Sequence, residues 1–205
     1  MPEPRLYLLT PPLAERDLSA FAARFVEALA AGDVASALVR LAPAADPRKI
    51  VLPLMEIAAA HDAALLIEGD ARLAARLGAD GVHVEGGEVA DAVASLKSQR
   101  IVGAGALRLR DDAMAAGEAG ADYVMFGEPA AGAAAPPLDT TLERVGWWAE
   151  IFETPCVAYA ARLADVAELA AAGADFVALD AAVWRAPRPA EAIATAMMSL
   201  KGAGS

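Results

Sequence analysis

Cysteine is almost missing from this chain of 205 residues: Cys156 stands alone, which excludes an internal disulfide and fits a reducing cytosol. Long apolar runs are missing too. Hydrophobic residues make up 57% of the chain, much of that alanine, yet no run approaches the roughly 18 residues of a membrane span. The opening MPEPRLYLLT lacks the basic-then-apolar order of a secretory signal, so a cytoplasmic protein with no membrane association is expected. Positive charge is scarce, with 17 lysines and arginines against 28 aspartates and glutamates and a formal charge of -11. Nucleic acid and anionic membranes are held by clustered basic residues, and here those are few and scattered, so nucleic acid is excluded as an expected partner. A diphosphate-bearing ligand would need a cation or a local arginine cluster to offset the same field.

What the chain does have is a repeated joint. GADGVHVEGG, Gly78 to Gly87, shares its first residues with GADYV at Gly120 and GADFV at Gly173, and a fainter copy, AGDVASALV, begins at Ala31. In each copy an alanine-rich helical run stops at a glycine, able to take the left-handed conformation that closes a helix, and a short β-prone run follows. Gly32, Gly78, Gly120 and Gly173 lie 46, 42 and 53 residues apart, too long for one strand-helix unit and right for two. Four copies of two units make eight. The length is at the low end of what an eight-unit barrel needs, about 200 to 250 residues, so a compact single (β/α)8 TIM barrel domain spanning 1–205 is expected.

Taken in order, strands are expected at Arg5 to Thr10, Ala35 to Leu41, Ala63 to Glu68, Gly81 to Glu85, Arg100 to Gly105, Gly120 to Gly127, Pro155 to Ala160 and Phe176 to Asp180. Helices fall between them, opened by Asp17 and by Asp46 with Pro47, and one runs from about Glu88 to Lys97. Another covers Thr141 to Phe152, where the adjacent Trp147 and Trp148 lie about 100° apart, so at most one faces the barrel. The last helix follows Pro189 and frays at Gly202 to Ser205. Pro129 to Pro137, PAAGAAAPP, is a flexible loop at the barrel mouth and the one break in composition. Apolar helix surfaces and the tryptophan pair make a homodimer an expectation.

Chemistry in such barrels sits at or just past the carboxyl ends of the strands. Those positions hold Thr10, Arg40, Glu68 with Asp70, His83 with Glu85, Arg108 with Arg110, Glu128, Tyr159 and Asp180. Four strand ends carry five carboxylates between them and none carries a lysine. Carboxylates so clustered hold a metal, share protons or pair with cations, and Arg40, Arg108, Arg110 and Arg162 are the cations at hand.

LYLLT, an arginine at the end of strand two, LLIEGDARLAARLGADGVHV, IVGAG, GADYVMFG and GADFVALD together resemble thiamine-phosphate synthase and its relative the thiazole tautomerase, over nearly the whole chain. The resemblance implies a magnesium-dependent transferase of thiamine biosynthesis with no organic cofactor. Such an enzyme ionises a hydroxymethylpyrimidine diphosphate, and the nitrogen of a thiazole phosphate captures the cation. The small-molecule partners implied are therefore pyrimidine and thiazole phosphates.

Residue by residue the chain departs from the family's pattern. The glutamine, arginine and lysine of strand two fall at Leu38, Arg40 and Ala42; the Asn-Asp-Arg after strand three falls at Glu68, Gly69 and Asp70; the second magnesium aspartate falls at Glu88. The serine after strand five becomes Gly105, the Thr-Pro-Thr-Lys loop becomes the neutral PAAGAAAPP, and the Gly-Gly after strand seven becomes Ala160-Ala161. The serine near strand eight is Ala181, and Leu107, Arg108 and Arg110 stand where the tautomerase has its histidine. These changes remove anion donors and lead to an expectation of weakened turnover in a diverged active site. Two alternatives stand beside it: a silent ligand-binding or regulatory barrel, and a barrel with different acid-base chemistry on Glu128 or Glu68. On the leading expectation Arg40 and Glu128 are catalytic, Thr10, His83, Arg108, Tyr159 and Asp180 contact ligand, and Glu68, Asp70 and Glu88 hold the metal.

Overall fold

The computed structural model describes residues 3–96, 99–130 and 133–203. Lys97 of the expected fourth helix, Ala131 and Gly132 of the small-residue loop, and Gly204 and Ser205 of the tail lie outside them. The strands are β1 Arg5–Leu9, β2 Val34–Val39, β3 Ala64–Glu68, β4 Gly81–Glu85, β5 Ile101–Gly105, β6 Tyr123–Phe126, β7 Cys156–Tyr159 and β8 Phe176–Leu179. Each pairs in parallel with the next in the chain, and β8 pairs with β1, so the sheet closes into a barrel.

Outside the sheet lie α1 Leu18–Leu29, α2 Pro47–Ala59, α3 Ala71–Leu77, α4 Val89–Leu96, α5 Arg110–Glu118, α6 Leu138–Ile151, α7 Val166–Ala171, the single turn α8 Ala181–Trp184, and α9 Pro189–Ala203. Asp46 caps α2 as expected, accepting from the Arg48 N–H at 3.0 Å with Pro47 in the first helical position. Asp17 does not cap α1. A 3-10 turn at Glu15–Asp17 precedes that helix, so Asp17 already has helical backbone angles and its carboxylate reaches no amide. The α8 turn was not foreseen, because four residues are too few to show helical periodicity.

Both faces of the sheet are covered, which is why the strands read as nearly continuous apolar runs. Tyr7, Leu9, Leu38, Leu66, Tyr123, Met125, Val157 and Tyr159 fill the barrel interior, while a larger core between sheet and helices includes the fully buried Phe25, Ile50 and Leu54. Trp148 is buried in that outer core and donates to the Thr154 carbonyl at 2.7 Å, whereas Trp147 lies nearer the surface under the Arg110 guanidinium. One of the pair thus faces the barrel, as the 100° offset requires.

The GAD joints staple the amino-terminal end of the barrel. Gly78, Gly120 and Gly173 are left-handed, with φ of 82°, 94° and 105°, a region side chains rarely enter. The aspartates behind them accept from main-chain amides at the start of the strand before: Asp80 from Leu65 at 2.8 Å, Asp122 from Val102 at 2.7 Å, Asp175 from Cys156 at 2.8 Å. Gly32 departs from the pattern, since its φ is not positive. It is needed for space, because a Cβ there would stand 2.7 Å from Met197 Cγ. Its Asp33 instead pairs with Arg5 at 2.6 Å.

Candidate functional site

The carboxyl ends of the strands open onto a cavity of about 770 Å³. Leu9, Leu38 and Met125 form its apolar floor; Arg40, His83, Glu68, Glu128, Arg108 and Arg144 bring charge and polarity to its walls and rim. That volume suits a ligand of one or two heterocycles.

Arg40 follows β2 and is held on two sides. Its Nε donates to the Thr10 carbonyl at 2.5 Å and its Nη2 to Asp180 Oδ2 at 2.5 Å, leaving the rest of the fork for a ligand. Thr10 and Asp180, both expected to contact ligand, hold Arg40 here, and neither lines the cavity. Thr10 is fully buried, its hydroxyl accepting from the Arg40 N–H at 3.0 Å and donating to the Pro11 carbonyl at 2.9 Å. The α8 turn closes this corner, with Trp184 Nε1 donating to the Leu9 carbonyl at 2.5 Å.

Glu68 stands exposed at the cavity, yet the surrounding wall removes enough of its hydration to push its carboxyl above the ordinary range, an effect that Arg40 and His83 oppose. Glu88 also lines the cavity. Asp70, expected in the metal set, does not: its Oδ1 accepts from the Leu73 N–H at 2.8 Å and caps α3. No three His, Cys, Asp or Glu side chains among the described residues come together as a metal cage. A magnesium ion bound largely through phosphate oxygens needs only one or two carboxylates, and Glu68 and Glu88 are the two of the expected three that face the cavity.

Deeper in, the side chains form a buried polar row. Tyr7 and Tyr123 share a hydrogen bond of 2.8 Å between hydroxyls, and Tyr123 also meets His83 Nδ1 at 2.9 Å. On its other side His83 Nε2 lies 3.7 Å from Glu128 Oε2. Burial drives both phenols well above their ordinary range, so they remain protonated. Glu128 Oε1 accepts from the Ala106 N–H.

Arg108 is exposed on the rim. Arg144, which no motif marked, donates to the carbonyls of Leu107 at 2.6 Å and of Arg108, fixing the loop after β5. The available signal was periodicity: Thr141, Val145 and Trp148 form the buried stripe of α6, and Arg144 lies on it. Tyr159 belongs to a second cavity of about 340 Å³, with Thr141, Arg162 and Asp165. Burial, with Asp180 adding to it, raises the Tyr159 hydroxyl. Burial likewise pushes the Cys156 thiol up to about 12, in keeping with a core residue.

A closed parallel barrel with a large polar cavity at the carboxyl ends of its strands, lined by strand-end arginine, histidine and glutamate, has the form of the small (β/α)8 barrels. Within that class the chain belongs to the thiamine monophosphate synthase family, whose sequence model matches residues 6–183. It is 40% identical over 210 residues to the thiamine-phosphate synthase of Rhodospirillum centenum, covering 98% of this chain and 100% of that one. It is also 40% identical over 200 residues to that of Hyphomonas neptunium, covering 89% and 87%. Among solved structures, thiamine phosphate pyrophosphorylase from Pyrococcus furiosus superposes with a TM-score of 0.81 at 23% identity, covering 99% and 98%, a likeness of fold. The expectation of weakened turnover finds no support in these relatives, which carry the synthase name over the same length. No helix among the described residues is long and apolar enough to cross a membrane.

Proposed function

We propose that this protein is a transferase that joins a hydroxymethylpyrimidine diphosphate to a thiazole phosphate and releases diphosphate. The observation that carries it is the end-to-end match to the Rhodospirillum centenum synthase, with the charged cavity lying where this fold places its chemistry. Leu9, Leu38 and Met125 would seat the heterocycles, and exclusion of water there strengthens every charge interaction above them. Arg40, fixed by Asp180 and the Thr10 carbonyl, would meet the departing phosphate oxygens without having to reorganise. Arg108 supplies a second cation at the rim. Glu68 and Glu88 would hold magnesium, which supplies positive charge to the leaving group when bound. The partners on this reading are small phosphate-bearing heterocycles, a second copy of the chain forms a homodimer, and the location is cytoplasmic. Purified protein given magnesium and both substrates should form thiamine phosphate.

A second reading, a barrel that binds these ligands without turning them over, draws on the 2.5 Å Arg40–Asp180 pair, which already neutralises the cation that a diphosphate would use. A ligand-dependent rise in melting temperature with no product would favour it.

A further inference from the structure

Several observations converge beside the end of β5. Ala106 has φ of 54°, a left-handed backbone uncommon for residues other than glycine, and its N–H donates to Glu128 Oε1. The other carboxylate oxygen, Oε2, is the one buried side-chain nitrogen or oxygen among the described residues without a hydrogen-bond partner, 3.7 Å from His83 Nε2. Gly105 makes room for the pair, since a Cβ there would stand 2.2 Å from His83 Nε2 and 2.3 Å from Glu128 Oε1.

Counting protons along the buried row assigns the histidine tautomer. If Tyr7 donates to Tyr123 and Tyr123 donates to His83 Nδ1, the ring proton lies on Nε2 and faces the cavity wall and Glu128. If the row runs the other way, the Tyr7 hydroxyl has no acceptor among the described residues, and the Nε2 lone pair confronts a carboxylate. The first arrangement gives both phenols an acceptor and turns the Nε2 proton toward the carboxylate 3.7 Å away, and a buried hydroxyl left unpaired is costly. His83 thus offers a fixed N–H on the same side as the Ala106 amide.

We propose that the Ala106 N–H and the His83 Nε2–H form an oxyanion-binding pair at the cavity wall, and that the Glu128 carboxylate blocks it, accepting from the Ala106 N–H and facing Nε2 at 3.7 Å. A phosphate oxygen then binds there only by displacing Glu128, because two anions cannot share one pair of donors without a cation between them. Glu128 therefore sets the selectivity of this corner against free oxyanions. The proposal concerns binding and stands whether or not the protein turns over the two substrates.

The test is calorimetric titration of inorganic diphosphate into the full chain at fixed ionic strength. Glu128→Ala and the similarly sized Glu128→Gln should each bind about tenfold or more tightly than the parent. Adding His83→Leu to Glu128→Ala should return the affinity to the parent's level. Glu153→Gln, an exposed carboxylate before β7 at the opposite end of the barrel, measures the effect of net charge alone and should change little. The proposal is overturned by unchanged affinity or absent binding in both Glu128 variants, by an equal gain in Glu153→Gln, or by a gain that survives loss of His83. If Glu128→Ala fails to fold, Glu128→Gln and its combination with His83→Leu decide.

Discussion

At the scale of single residues, the most consequential placement is an arginine held from two directions before any ligand arrives. Its fork rests on a carbonyl at Nε and a carboxylate at Nη2, so Arg40→Lys should not preserve function: an ammonium on a flexible stem cannot satisfy both supports while pointing a planar edge at phosphate. Steady-state kinetics should show Arg40→Lys nearer to Arg40→Ala than to the parent. Glu68 gives a pH-dependent prediction. Its folded pKa lies above the unfolded value, so its contribution to stability is present in full below the unfolded pKa, near 4.5, and is lost as pH rises through the folded pKa. Glu68→Gln, which cannot ionise, should therefore melt at a higher temperature than the parent at pH 7, the difference closing by pH 4. A variant that melts lower at pH 7 would mean that the Glu68 anion is held by favourable partners in the folded chain.

At the scale of elements, two kinds of aspartate separate cleanly. Asp70 caps α3, so Asp70→Ala should cost about 1 kcal/mol in denaturant unfolding and leave the magnesium dependence of binding unchanged. Asp122 ties the joint before β6 to the start of β5, and Asp122→Ala should cost about 1 kcal/mol with no change at the cavity, read from the same unfolding curves and a ligand titration. The strands and their ends were legible in the sequence because apolar runs bounded by glycine, proline and aspartate carry them locally. The caps of α2 and α3 differ in how far they could be read. Asp46 is marked by the proline behind it, whereas Asp70 carried two meanings, cap and ligand, that only the direction of its side chain separates. Asp180 was legible as a strand-end acid and not as a support, since its partner stands 140 residues away. Tyr7, Tyr123 and Ala106 gave no local sign at all. Two of them look like ordinary barrel filling, and the third owes its role to a backbone angle.

At the scale of the whole molecule, ring closure makes the site. Arg40 follows β2 and Asp180 follows β8, and they meet because β8 and β2 both pair with β1, whose end carries Thr10. An open sheet would leave these residues at opposite edges. The net charge of -11 also acts at this scale, repelling a ligand that carries phosphate. Raising ionic strength from about 0.01 to 0.15 M shortens the screening length from roughly 30 to 8 Å, so the association rate of inorganic diphosphate should rise with salt in stopped-flow measurements, the reverse of an electrostatically steered encounter. A falling rate would show that local cations outweigh the field.

The most direct measurement is formation of thiamine phosphate by the purified chain, with magnesium and both substrates, beside the Arg40→Ala variant. The parent should make product and the variant about 10² to 10³ less per unit time, the usual cost of losing one aligned charge donor at a departing anion. A parent that makes no product, or a variant that makes as much, would contradict the transferase assignment and leave a binding barrel in its place.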